Sequence, residues 1–450
     1  MRVSWVQPED VLRHELVQSA AEGKTVDDVA ARWVAAGGVL GAPQRGASAE
    51  PATETQRVLA RALVDELDAR PAPRSADEPN DLEAIREQWS APPPLPRIPD
   101  AQLADRIHGG WLGRAAGCLL GKPVEGVGRA GIREILEATG RWPLADWFTG
   151  RGLPDDVAAR HPWNRASRPT SLAENIDGMP EDDDLNYTML ALRLVETSGR
   201  SFTTDDVASL WLSELPGLRV FTAERAVYRN LLDGIGPSDA ATIANPYREW
   251  IGAQIRTDLY GWISPGDPQA AAELAWRDAR LSHTRNGVYG AMFVAAMAAA
   301  ACVADDVETV LAAGLSVVPV GSRFARSVGL GLDLARRGVP HEDAVDAIDA
   351  AHEGLHWVHV LNNAAVVALT IAAGAGDFGR SICAAVSAGL DTDSNGATVG
   401  GVVGAMRGAS ALPARWIAPL RGRIASSLRG FDGATFDALA VRTLVLADRP

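Results

Sequence analysis

Apolar residues recur at intervals of three and four along most of this chain, the spacing that gathers them on one face of a helix. The stretches "PEDVLRHELVQSA" (8–20), "TVDDVAARWVAAGG" (25–38) and "RVLARALVDELDAR" (57–70) each predict a short amphipathic helix. Between them lie "APQRGASAEPATETQ" and "PAPRSADEPND", whose Ala, Pro and Ser content reads as linker, and one further short helix leads to "APPPLPRIPD". The texture changes near Asp100. From 101 onward, Ala- and Leu-rich helical segments alternate with Gly or Pro breaks, and alternating β-branched strands are almost absent. An all-α body over 101–450, preceded by an N-terminal helical extension over 1–100 with Pro-rich linkers, is the economical reading. The tract 142–179, with "HPWNRASRPTSLAENIDGMP", breaks the pattern and reads as an irregular insertion long enough to be functional.

One segment, "GVYGAMFVAAMAAAACVA" (287–304), is uncharged and of membrane-spanning length. It is mostly alanine, however, and runs into Asp305 and Asp306 without a basic or aromatic flank, so a buried helix explains it better. The N-terminus has no apolar stretch behind a basic start, which argues against a signal peptide. Cys118, Cys302 and Cys383 are scattered and form neither a CxxC pair nor an even disulfide set, so a reducing, cytoplasmic setting is expected. A net charge of -14 argues against nucleic acid as a partner, because phosphate neutralisation needs surplus Lys and Arg. No membrane partner is expected.

The chemistry is concentrated in three places. "GLDTDSNGATVGG" (389–401) sets Asp391 and Asp393 two positions apart, followed by Ser394 and Asn395. One Asp would suffice to cap a helix; two, with a hydroxyl and an amide behind them, also form a fan of hard oxygen ligands. "MPEDDDLNYTMLALRLVE" (179–196) opens an amphipathic helix with Glu181, Asp182, Asp183 and Asp184. Acidic helix starts at "TTDDVASLW" and "VADDVETV" read as ordinary caps. Four adjacent carboxylates exceed what one helix end offsets, unless they are solvated or hold a cation. Glycines at 109, 113, 117 and 121, and at 396, 400, 404 and 408, form two helical stripes, each beside a possible ligand cluster. Each such glycine costs about 1 kcal/mol relative to alanine, so close approach of a backbone or ligand must compensate.

Together these segments resemble the ADP-ribosylglycohydrolases, a family that includes the dinitrogenase-reductase-activating glycohydrolase. Its motifs G-D-x-x-G-x-P-x-E, T-D-D-T and G-x-D-T-D-[TS]-N are similar to Gly117–Glu125, Glu181–Asp184 and Gly389–Asn395, in the same order, and "LPARW" (412–416) is similar to a closing motif. The resemblance implies a compact orthogonal helical bundle with two Mg²⁺ ions, or Mn²⁺, in a cleft. It implies metal ligands at Glu181, Asp182, Asp183, Asp391, Asp393 and Ser394. Glu125, with Asp183 and Asp393, would carry the catalysis, and Asn186, His283, Asn362 and Gly121 would contact substrate. The implied reaction is hydrolysis of a ribosyl C1″ bond in an ADP-ribosylated or ADP-ribose-like substrate, free or carried on a protein. A small free riboside as substrate, or a silent scaffold of the same fold, stays open. The chain departs from the pattern at Cys118, Glu181 and Asp184, where the family has Asp, Thr and Thr. For His283 a structural role competes with ligand contact, and for Asn362 and Asn363 capping competes with substrate contact. The insertion is expected to cover the cleft mouth and to bring Arg165 or Arg168 to an anionic group of the substrate.

Overall fold

In a computed structural model, residues 2–73 and 75–447 are described. Helices account for 60% of the chain and strands for 2%, an all-α protein as the periodicity predicts. The elements that matter for the site are α1 (Pro8–Ala21), α2 (Asp27–Ala35), α3 (Glu54–Ala69), α4 (Asp100–Gly121), α5 (Asp183–Ser198), α6 (Arg285–Ala301), α7 (Val360–Gly374) and α8 (Thr392–Arg407). The alanine-rich segment is α6, buried at every position from Asn286 to Ala301. Among the described residues no helix is long and apolar enough to cross a membrane.

At the centre, α4 and α8 run antiparallel with their glycine stripes face to face. Gly109 meets Gly404, Gly113 meets Gly400, Gly117 meets Gly396, and Gly121 meets the Thr392 backbone. A Cβ built on any of these glycines would land on a carbonyl of the opposite helix. The glycine cost is thus recovered by backbone-on-backbone contact, which side chains would hold at the usual 8–10 Å between axes. The contact is in register up to the helix ends, where Thr392 Oγ1 donates to the Gly121 carbonyl (2.8 Å). The C-terminus of α4 therefore abuts the N-terminus of α8.

Residues 8–69 bury a small apolar cluster of their own, with Val11, Leu12, Leu16, Val29, Trp33, Leu63, Val64 and Leu67. They are fastened to the body by polar groups. Arg248, buried, forms ion pairs at 2.7 Å with both Glu15 and Glu22 of this region. Glu78 pairs with Arg285 (2.5 Å) and Arg323 (2.9 Å). Trp5 lies in an aromatic cluster with His14, Tyr247, Trp250 and His356. The tract 142–179 is irregular apart from two short helices, Asp155–Arg160 and Arg168–Ser171. Trp147 Nε1 on the Arg415 carbonyl (3.0 Å) holds it to the body, and Glu174, accepting from Thr149 Oγ1 (2.8 Å), ties it internally.

Candidate active site

The α4–α8 ladder brings two of the acidic segments together. Past Gly121 the chain turns through Lys122–Val124 to Glu125. Opposite it, Gly389 (φ 75°) and Leu390 (φ 60°) sit in the left-handed region and swing the chain into α8. That conformation is uncommon for leucine and is the kind of strain that gathers at functional sites. Asn363, on α7, fixes the turn: its Oδ1 accepts from the Asp391 amide (3.3 Å) and from Asn395 Nδ2 (2.7 Å). The third segment is locked by Arg114 of α4, which is fully buried. Its Nε and Nη2 donate to the Asp184 carbonyl (3.1 and 2.9 Å), and Nη1 donates to Asp258 Oδ2 (2.8 Å).

The result is a cleft of about 410 Å³ lined by Glu125, Glu181, Asp182, Asp183, Asp184, Asn186, Asp391, Asp393 and Ser394. Segments about 200 residues apart in sequence open into one hollow. Asp182 caps α5, accepting from the Asp184 amide at 2.9 Å. Asp391 holds the N-cap position of α8 but makes no side-chain capping bond; its carboxyl is turned to Asp393 instead. A plain cap does not account for "DTD". By contrast Thr203 and Asp306 cap their helices in the ordinary way. Ser394 Oγ donates to Asp184 Oδ2 (3.3 Å). Glu181 accepts from Asn186 Nδ2 (3.1 Å) and faces Arg219 (3.1 Å).

Burial, then the neighbouring Asp393 charge, pushes the ionisation of Glu125 and of Asp391 well above the carboxylate range. Asp183 is raised by burial and by Asp182, and Asp393 likewise. Burial also opposes ionisation of Asp182, but Lys122 outweighs it and holds this carboxyl below its ordinary value. Such mutual destabilisation is what a bound cation relieves. Two observations fit a divalent ion here. The lining donors are hard oxygens, and Asp393 Oδ1 is buried with no hydrogen-bond partner. Cys118, behind Asp182 and Asp184, is fully buried, and burial followed by those two charges keeps it a neutral thiol.

Three expected contacts fall elsewhere. Gly121 is not on the cleft lining, because it packs on Thr392 in the helix ladder. His283 is buried behind Glu224, its Nδ1 2.8 Å from Ser282 Oγ, and lies off the lining. Asn362 also lies off the lining: its Nδ2 donates to the His356 carbonyl (3.1 Å) and its Oδ1 accepts from the Asn363 amide (3.0 Å), both at the start of the helix that His359 caps. The insertion does border the cleft, but through Asn164, Ala166 and Ser167, whereas Arg165 and Arg168 line a separate hollow with Trp163.

Four features were not anticipated. Asn164 Nδ2 donates to Glu125 Oε2 (2.7 Å). Lys122 reaches into the acidic floor and bonds Asp182. Arg45 and Arg219 are the cleft's other cations, and Trp5, Phe221 and Trp357 are its aromatic residues. The G-x-P spacing flagged the position of Lys122 but not its direction. Asn164 lies in aperiodic sequence, and Trp5 and Arg45 lie outside every motif.

A model of the ADP-ribosylglycohydrolase family matches residues 99–449. Among solved structures the chain is similar to one called "ADP-ribosylglycohydrolase-related protein complex", at 20% identity over 77% of this chain and 100% of that one, with a TM-score of 0.42. No curated protein matches the chain.

Proposed function

The chain belongs to the ADP-ribosylglycohydrolase family, and from that premise we propose that it hydrolyses the ribosyl C1″ bond of an ADP-ribosylated or ADP-ribose-like substrate with the help of a divalent cation. The observation that carries the reading is the convergence of three acidic segments on one cleft whose Asp393 keeps a buried oxygen without a partner. Glu181, Asp182, Asp183, Asp391, Asp393 and Ser394 are the residues that would hold Mg²⁺ or Mn²⁺. When bound, such an ion supplies charge that binds vicinal ribose hydroxyls and acidifies a water molecule.

The chain's own groups do the rest. Glu125 handles the proton: Asn164 holds its Oε2, so Oε1 is the oxygen that takes the proton of the attacking water. The water oxygen bonds to C1″ as the bond to the leaving atom breaks; the leaving atom keeps the bonding pair and takes a proton from solvent, to which Glu125 returns the one it accepted. The centre passes through an oxocarbenium-like state. Asn186, its amide held by Glu181 and Ser426, positions Glu181 at the lining, and Trp5, Phe221 and Trp357 offer apolar faces to the substrate. Walls from both the N-terminal region and the insertion favour a small ADP-ribosyl compound or free riboside over a modified protein surface.

The test is a screen of ADP-ribosylated proteins, ADP-ribose derivatives and simple ribosides with Mg²⁺, Mn²⁺ or a chelator, reading released ribosyl product by mass spectrometry. Release with metal and loss in chelator is expected. No release from any substrate class with either metal overturns the reading.

A further inference from the structure

Lys122 is an unusual occupant of a cation-binding floor. It follows Gly121, whose backbone is clamped to Thr392, and precedes Pro123, so its Cα has little freedom. The residue is 7% exposed. Its ammonium bonds Asp182 Oδ2 and lies 3.3 Å from the Glu181 carbonyl. The other Asp182 oxygen already accepts from the Asp184 amide (2.9 Å). Both oxygens of Asp182 are therefore engaged by this chain's own donors. On the α8 side the situation is reversed. Asp391 caps nothing, and Asp393 Oδ1 is buried and unpartnered. Lysine is almost never buried without a counter-charge, and a compact ammonium is a point charge comparable in reach to a small metal ion.

Resting on the functional reading above, we infer that the Lys122 ammonium is a built-in cation on the Asp182 side of the floor, so that the cleft takes one divalent ion, held on the α8 side by Asp391 and Asp393, where the family resemblance implies two. A second ion would have to displace the ammonium from Asp182 Oδ2 or sit against a like charge. The fixed charge would help hold a substrate oxygen without metal on that side, and the ion on the α8 side would face Glu125.

The experiment is titration of metal-free full-length protein with Mn²⁺, reading stoichiometry by calorimetry and spin coupling by electron paramagnetic resonance. One Mn²⁺ per chain with an uncoupled spectrum is expected, and Lys122→Met should bind two with the spectrum of a coupled pair. Two coupled ions in the unmodified protein would overturn the inference while leaving the hydrolase reading intact. No bound ion, with no metal-dependent hydrolysis, would overturn the hydrolase reading and this inference with it. One ion in both the unmodified protein and Lys122→Met would also overturn it, because the ammonium then holds no ion's place. Should Lys122→Met not fold, Lys122→Gln serves in its place, and the stoichiometry of the unmodified protein remains decisive.

Discussion

Asn164, in the middle of an aperiodic tract, donates a 2.7 Å hydrogen bond to Oε2 of Glu125, at the end of the central helix ladder. In the proposed reaction the insertion would therefore act by orienting the Glu125 carboxyl group. Asn164→Ala frees that carboxyl to rotate without removing it. We expect kcat to fall about 10–100-fold, the range for residues that orient reacting groups, with KM little changed. Steady-state kinetics with whichever compound the screen finds hydrolysed checks this, and an unchanged kcat would detach the insertion from the chemistry.

Asp393→Asn should keep the fold, weaken Mn²⁺ binding and lower turnover at least about a hundredfold. It removes a buried charge that raises the ionisation of Glu125, Asp183 and Asp391. In chelator the variant should therefore melt a few degrees higher than the unmodified protein. Added Mn²⁺ should stabilise the unmodified protein and leave the variant nearly unmoved. Unchanged turnover removes Asp393 from the site.

The glycine ladder makes opposite predictions for the same substitution. At Gly113 or Gly400 a methyl group meets the facing carbonyl, so Ala should destabilise by about 1–3 kcal/mol despite its better helix propensity. Gly329, in the helix Arg323–Arg336, has open space where a Cβ would stand. There Ala should stabilise by about 0.5–1 kcal/mol. Urea midpoints of the three variants separate these outcomes, and a stabilised Gly113→Ala would mean that the two helices do not touch by backbone.

Acid should loosen the N-terminal region. Burial, aided by His356 and Arg13, lowers the His14 pKa to about 3, and burial lowers that of His356 to about 4. Folding favours the neutral rings, whereas the unfolded chain takes up protons near pH 6.5. Stability is thus complete above pH 6.5 and is lost as pH falls through 6.5 toward 4 and 3. At pH 5 the loss is on the order of 2 kcal/mol per ring. Urea midpoints at pH 7.5 and 5 measure it, and His14→Phe should reduce the difference by about one ring's share. A variant as acid-sensitive as the unmodified chain would place the effect elsewhere.

Much of this arrangement is legible in the chain because it is periodic or clustered. A four-residue glycine interval in two segments announces two surfaces able to meet backbone to backbone, and they meet each other. Asp182, Asp183, Asp391 and Asp393 announce themselves by charge density that ordinary caps at Thr203 and Asp306 do not need. The misses have a common physical cause. Asn362 and Asn363 look alike in sequence, and only packing decides that Asn363 reaches Asp391 while Asn362 bonds back to the His356 carbonyl. His283 near a motif-like segment turns inward because Glu224 and Arg256 fill the space beside the cleft. Asn164 and Arg165 are neighbours on opposite faces of an irregular turn, and no period tells which one meets the cleft.

The bonds that seat the first residues of the chain also set a timetable. Glu15 waits 233 residues for Arg248, and Gln44 waits 313 for the Trp357 ring that binds its carbonyl. At about 5–20 residues per second on a ribosome, the Arg248 partner arrives on the order of ten to fifty seconds after Glu15. During that interval α1 and α3 can collapse on their own small cluster, but Trp5 has no seat until Tyr247, Trp250 and Val358 have been made. The wall at Trp5 therefore precedes in synthesis the residues that seat it, so a ribosome-bound chain stalled before residue 357 carries the acidic floor's Asp182 and Asp183 but neither Asp391 and Asp393 nor a finished wall, and the cleft closes only once residues 357–394 have been made.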